Sequence, residues 1–184
     1  MSCASRLIPA LLLLAGCAAT PVATQPDVPL AMPEGAGDPV RGAVLAAAPA
    51  FADTASLAGR PAEAARQAAR LEWLAASLVR QPDWRRASPL LGPALRAGRA
   101  ELRVALDVPD SAAPQAVAAA MLNAAGALEA GQVARAEAAL DQVSAGQGRE
   151  VLRRLAALPP LPRAAEATSL AQAELMNDGR WDLD

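Results

Sequence analysis

The side chains able to do chemistry in this 184-residue chain are of few kinds. There is no His, no Lys and no Tyr, there are two thiols at Cys3 and Cys17, and every basic group is one of 17 Arg set against 19 Asp and Glu. Without imidazole, a Ser-His-Asp hydrolase and any His-dependent acid–base enzyme are excluded. Zinc held by Cys and His is excluded for the part beyond Cys17 as well. No P-loop, dinucleotide-binding glycine pattern, EF-hand or metalloprotease motif occurs. Glycosidase or muramidase chemistry, the remaining option, needs two carboxylates a few ångströms apart in a cleft, with aromatic or polar groups to hold sugar. The acids fall mostly on predicted polar faces, and only three Trp and one Phe are present. The expectation is a non-enzymatic protein without catalytic, cofactor or metal residues.

Cys17 has the most informative surroundings. Ahead of it stand a short head with one charge, Arg6, the apolar run Leu7-Ile8-Pro9-Ala10-Leu11-Leu12-Leu13-Leu14, and two small residues, Ala15 and Gly16. These are the parts of an export signal. The run is too short to span about 30 Å of hydrocarbon, which takes roughly 20 apolar residues. Leu14-Ala15-Gly16-Cys17 resembles the lipobox read by the bacterial prolipoprotein maturation enzymes. The resemblance implies that residues 1–16 are removed and that the Cys17 sulfur carries diacylglycerol. In many bacteria the new amino group is acylated too, commonly with palmitate. An ordinary secretory signal with a Cys at this place and an uncleaved anchor are the alternatives. Two acyl chains give stable anchoring where one gives only marginal binding. The next residue is Ala18 and not Asp, which by the same resemblance favours the periplasmic face of the outer membrane over the inner membrane. With Cys3 removed and Cys17 lipidated no thiol is left for a disulfide. Packing alone must then hold the fold, although an exported protein is free to use disulfides.

Charge is unevenly placed. Between Arg60 and Arg103 nine Arg face Glu63, Glu72, Asp83 and Glu101, a net of +5, whereas residues 17–53 net −3 and residues 166–184 net −4. A basic middle can pair with the acidic ends, or offer a patch to lipid phosphates or an acidic partner. Nucleic acid is disfavoured by the export address and by the near absence of aromatic platforms.

The elements that position these groups read as helices. Residues 17–39, rich in Pro, Ala, Gly and Thr, cannot bury enough to repay ordering and are expected to form a flexible tether. Residues 40–184 form the expected helical domain. Val40–Ala48 suggests a short helix interrupted at Pro49. A firm helix starts at Pro61 and ends near Arg80, with Ala64, Ala68, Leu71, Leu74, Ala75 and Leu78 on one side and Trp73 roughly 160° away from Leu71. Trp73 is either a second packing contact or part of an exposed partner surface. Trp84, in the connector, either caps the core or anchors at lipid headgroups beside Arg85 and Arg86.

The next helix starts at Ser88-Pro89 or at Gly92-Pro93 and buries Leu91, Leu95, Gly98, Leu102, Ala105 and Leu106, with Gly98 letting a neighbour come close. Arg96, Arg99 and Arg103 share a flank, as a solvated face or a partner site. Asp110 or Ser111 is expected to cap a third helix, which runs to Ala130 with Ala113, Val117, Ala120, Met121, Ala124 and Leu128 on its seam. Gly131 turns the chain into residues 132–143, with Val133, Ala136, Leu140 and Val143 inward. Gly146-Gln147-Gly148 reads as a flexible turn before a helix over 149–158, with Leu152, Leu155 and Ala156 or Leu158 inward. The connector at 159–162 leads to a last helix over 163–177, after which Trp181 and Leu183 are expected to fold back as an apolar hook.

Within residues 120–143, Ala124, Ala127, Gly131, Val133, Ala136 and Leu140 are spaced in a way that resembles one tetratricopeptide repeat, a helical hairpin used for protein and peptide binding. The first-helix aromatic is missing, Asn123-Ala124 replaces the Leu-Gly pair, and no second copy follows at 34 residues.

Together these readings predict an all-α fold, a small bundle or right-handed array of about five to six Ala/Leu-rich helices behind a disordered tether. The expected function is that of a membrane-anchored interaction or assembly module for an envelope or periplasmic protein, with Trp73, Trp84, Arg96, Arg99 and Arg103 as the candidate surface. A structural or lipid-contacting envelope protein is the alternative, and a carbohydrate-active enzyme a distant one.

Overall fold

The computed structural model describes residues 38–80, 84 and 86–177. The expected signal, Cys17, nearly all of the tether, and Trp181 with Leu183 lie outside the described residues. Among the described residues the fold is all α, with seven helices, two short 3-10 turns and no strand.

The helix count exceeds the expected five or six because the first segment is a full element. Helix α1, Pro39–Ala52, is capped by the Asp38 carboxylate accepting from Val40 N–H at 2.9 Å and runs straight through Pro49. Pro49 removes one hydrogen bond and crowds the preceding turn, but its ring points to solvent while Val44, Ala47, Ala48 and Phe51 are buried. Burying that side outweighs the lost bond, so the expected break at Pro49 does not occur. A 3-10 turn at Thr54–Leu57 then leads to α2, Pro61–Ser77, which another 3-10 turn extends through Arg80.

Helix α2 is the centre of the bundle. It packs against α1 and against three later helices, α3 (Leu91–Leu106), α4 (Pro114–Glu129) and α6 (Gly148–Leu155). Surrounded on most sides, it needs small residues on several faces, and Ala64, Ala65, Ala68, Ala69 and Ala75 are buried beside Leu71, Leu74 and Leu78. Small faces allow interaxial distances near the lower end of the usual ~8–10 Å. Helix α5, Val133–Asp141, folds back on α4, and α6 folds back on α5. The last helix, α7 (Pro162–Asn177), covers α1 and α3.

The turns are specific. Gly131, at φ +70°, reverses the chain after α4, and Gln132 N–H reaches the Ala127 carbonyl at 2.8 Å. That left-handed position suits glycine. Helix α3 stops at Asp107, itself left-handed at φ 60°. Ser88 closes a turn ahead of α3 by accepting from Leu90 N–H at 3.3 Å, and the helix begins at Leu91, between the two expected places.

Several expectations are corrected. Neither Asp110 nor Ser111 caps α4, whose cap residue is Ala113, exposed and without a side-chain bond. Val133 is 51 % exposed, like the rest of the first turn of α5, and the buried face of that helix begins at Ala136. In α6 Leu155 is fully buried as expected, but its companion is Val151, and Leu152 is only half-buried. Gly148 is no flexible joint. A Cβ there would stand 2.0 Å from the Glu137 carbonyl, and its N–H donates to Asp141 Oδ1 at 2.6 Å.

Gly98 does what its place in the seam suggests. A Cβ at Gly98 would lie 2.9 Å from Ala164 Cα and 3.0 Å from the Arg163 carbonyl, so α3 and α7 cross with their backbones nearly touching. One turn on, Glu101 Oε2 accepts from Arg163 N–H at 2.9 Å and Ala164 N–H at 3.0 Å. The α7 N-terminus is thereby satisfied by a carboxylate from another helix. Gly98→Ala should lower stability. Overpacking costs about 1–3 kcal/mol against the roughly 1 kcal/mol that Ala gains in a helix, and a lower urea midpoint at unchanged slope is the expected reading.

Candidate functional site

Arg103 departs furthest from expectation. It shares a flank of α3 with Arg96 and Arg99, but α2 lies over the C-terminal end of that flank and buries it, leaving Arg103 only 2 % exposed. Its guanidinium is fully used. Nε and Nη2 donate to Glu72 Oε1 and Oε2 at 2.6 and 2.7 Å, and Nη1 donates to the carbonyls of Asp110 at 2.8 Å, Ala112 at 2.9 Å and Pro109 at 3.3 Å. Glu72, 1 % exposed, has a carboxyl pushed up from its ordinary value by burial and pulled part of the way back by the Arg103 fork. Arg103 is thus a strut joining α2, α3 and the loop into α4, and is withdrawn from any contact surface.

The other expected surface residues divide. Arg96 is exposed, and Arg99 is half-buried with its Nε enclosed and without a hydrogen-bond partner. Trp73 is half-buried and packs against the core. It borders a gap of about 10 Å³ shared with Pro114, Gln115 and Ala118 at the start of α4. Trp84 is half-buried and packed against the core as well.

Charges elsewhere on α2 are also paired. Burial pushes Glu63 up, but hydrogen bonds from Gln67 and Arg66 and the charges of Arg66 and Arg70 outweigh it and hold the carboxyl below its ordinary value. Arg66 spans to Glu129 on α4. On α6, the half-buried Glu150 pairs with Arg153 and Arg154, three and four residues on, and its carboxyl is held down to about 2. Among the described residues no group of three or more His, Cys, Asp or Glu could hold a metal ion. No helix among them is long and apolar enough to cross a membrane.

The open feature is a groove of about 530 Å³ along the crease between α4 and α5. Small-molecule and peptide sites fall in the range of about 300–1,000 Å³. Its floor is small, with Gly126, Ala127 and Ala138, and its polar walls are Asn123, Gln132, Arg135 and Gln142. Arg135 is the only charged residue lining it. Arg135 Nη1 donates to Gln132 Oε1 at 3.3 Å, and the guanidinium has no carboxylate partner among the described residues. The amides can donate and accept, and the guanidinium only donates.

Sequence reasoning named none of the polar residues of this groove, although the repeat-like spacing over residues 120–143 falls on its two helices. Two signals pointed to it. Gly126 interrupts an Ala-rich helix, and Arg135 is the single basic residue between positions 104 and 148. Gly126 is exposed, and a Cβ there would meet nothing within 4 Å. The packing therefore does not require glycine at this position.

Comparison with protein-family models, curated proteins and solved structures finds no match to this chain.

The stability of three variants tests these contacts. Arg103→Met leaves Glu72 buried without a counter-ion and three carbonyls unbonded, for a loss of about 3–5 kcal/mol at neutral pH. Glu72→Gln should cost less, because an amide oxygen still accepts from the guanidinium and the loop bonds persist. In Arg103→Met the raised Glu72 carboxyl loses the fork that pulls it back and keeps only the weaker pull of the Arg99 charge. The variant therefore regains stability as pH falls from 7.5 through the folded pKa toward the ordinary carboxylate value, more steeply than wild type. Urea unfolding at pH 7.5 and 5.5 measures both effects. Gly126→Ala should raise stability by about 0.5–1 kcal/mol in thermal denaturation, the reverse of Gly98→Ala.

Proposed function

We propose that this chain is a bacterial envelope lipoprotein, anchored through acylated Cys17 on the periplasmic face of the outer membrane, whose helical domain is a non-enzymatic module that recruits or braces another protein. The observation that carries the interaction reading is the groove between α4 and α5, which is open, polar-walled and lined by one unpaired cation. Most of the other ionic groups on the helices are consumed within the fold, Arg103 with Glu72 and Arg66 with Glu63 and Glu129 among them. Anchoring rests on Leu14-Ala15-Gly16-Cys17 behind its apolar run.

A second reading, direct contact with anionic lipid headgroups, is favoured by one observation. Residues 84–100 hold Arg85, Arg86, Arg96 and Arg99 and no acid, and Leu90, in the same stretch, is 69 % exposed. Polybasic segments bind anionic leaflets in a salt-dependent way.

Replacing Cys17 with Ser and fractionating the cells tests the anchor. The wild type is expected in the membrane fraction, released only by detergent, and the variant is not. Detergent-dependent membrane recovery of a cleaved Cys17→Ser product would sink the lipid claim. Cross-linking in native membranes, followed by co-purification, should return one reproducible protein partner. If instead no partner is recovered and a form lacking residues 1–17 binds anionic vesicles and is released by salt, the second reading replaces the first.

A further inference from the structure

We infer that the α4–α5 groove seats an extended, acidic segment of a partner protein, with Arg135 taking a carboxylate and Gly126 leaving room for the segment's backbone. The inference rests on the interaction reading and adds the site and the chemistry of its occupant. Gly126 is the first ground. Glycine inside a helix is destabilising relative to alanine, and at this position a Cβ would touch nothing. Its lack of a side chain serves the open groove rather than the bundle. Glycine in such a place marks a close approach of another backbone.

The walls are the second ground. Asn123, Gln132 and Gln142 present side-chain amides able to pair with both the N–H and the C=O groups of an extended chain. Helix α5 has nine residues, about 13 Å, enough for roughly four residues of extended peptide. Charge is the third ground. Arg135 is the only charged lining residue, is exposed, and has no carboxylate partner among the described residues. A guanidinium on a groove otherwise lined by neutral groups selects for an acid.

The test pans displayed random decapeptides on the full-length chain purified in detergent, and titrates the recovered peptides as labelled synthetic probes. Recovered sequences should carry Asp or Glu at one fixed position. Exchanging that acid for its amide, or Arg135 for Gln, should weaken binding at least about tenfold. Gly126→Leu should abolish binding while the melting temperature stays near that of wild type, and Gly126→Ala should bind more weakly yet melt higher. Recovery of no peptide, recovery of apolar or basic peptides, or affinity unchanged by Arg135→Gln or Gly126→Leu would overturn the inference. A partner cross-linked equally well by both groove variants would also overturn it and leave the interaction reading standing. Acidic peptides that bind in the groove, with no partner found in the membrane, would reverse that outcome.

Discussion

One side chain sets the geometry of three helices. Arg103 leaves α3, meets Glu72 on α2 with two hydrogen bonds, and turns its remaining nitrogen to the carbonyls of the loop that leads into α4. A buried ion pair adds little net stability, since desolvation takes back much of the attraction. Its contribution is direction. Three loop carbonyls acquire a donor that reaches them from inside the bundle, so the loop has a fixed exit angle and α4 is delivered against α2. The groove exists because α4 is held there and α5 returns beside it.

Composition answers the same constraint. A helix enclosed by four others cannot carry large side chains all round, and α2 carries Ala on several faces. Each buried Ala removes little apolar area from water, at about 25 cal/mol per Å², so close approach and numerous backbone contacts must stand in for bulk. Gly98 and Gly148 carry this to its limit, where even a methyl group would collide with backbone. Gly126 lies outside that logic, which is why its openness carries meaning.

Helix boundaries and seams were largely legible, since capping, proline and 3.6-residue spacing are local signals. Leu91, Leu95, Gly98, Leu102 and Leu106 are all buried as their spacing requires. Where reading failed, a tertiary contact decided. Pro49 was overruled by burial of the α1 face around Phe51, and Arg103 by a helix laid across the C-terminal half of its flank. No pattern within α3 distinguishes Arg103 from Arg96, because the difference is made by Glu72, 31 residues earlier. The polar lining of the groove was illegible for the same reason: its walls come from two helices, and beyond the repeat-like spacing over residues 120–143 only Gly126 and Arg135 left a trace in the chain.

Helix α1 finds its cover on α7, more than a hundred residues further along. Closing a loop of that length costs more entropy than joining neighbours, although the cost grows only logarithmically. A chain made amino end first can therefore cover α1 early only where α2 meets it, and the part of α1 that faces α7 stays bare until nearly all of the described helices have followed. Glu101 adds to the delay, since α7 obtains its cap only on meeting α3. The domain is built to finish late, its first helix completed only by its last.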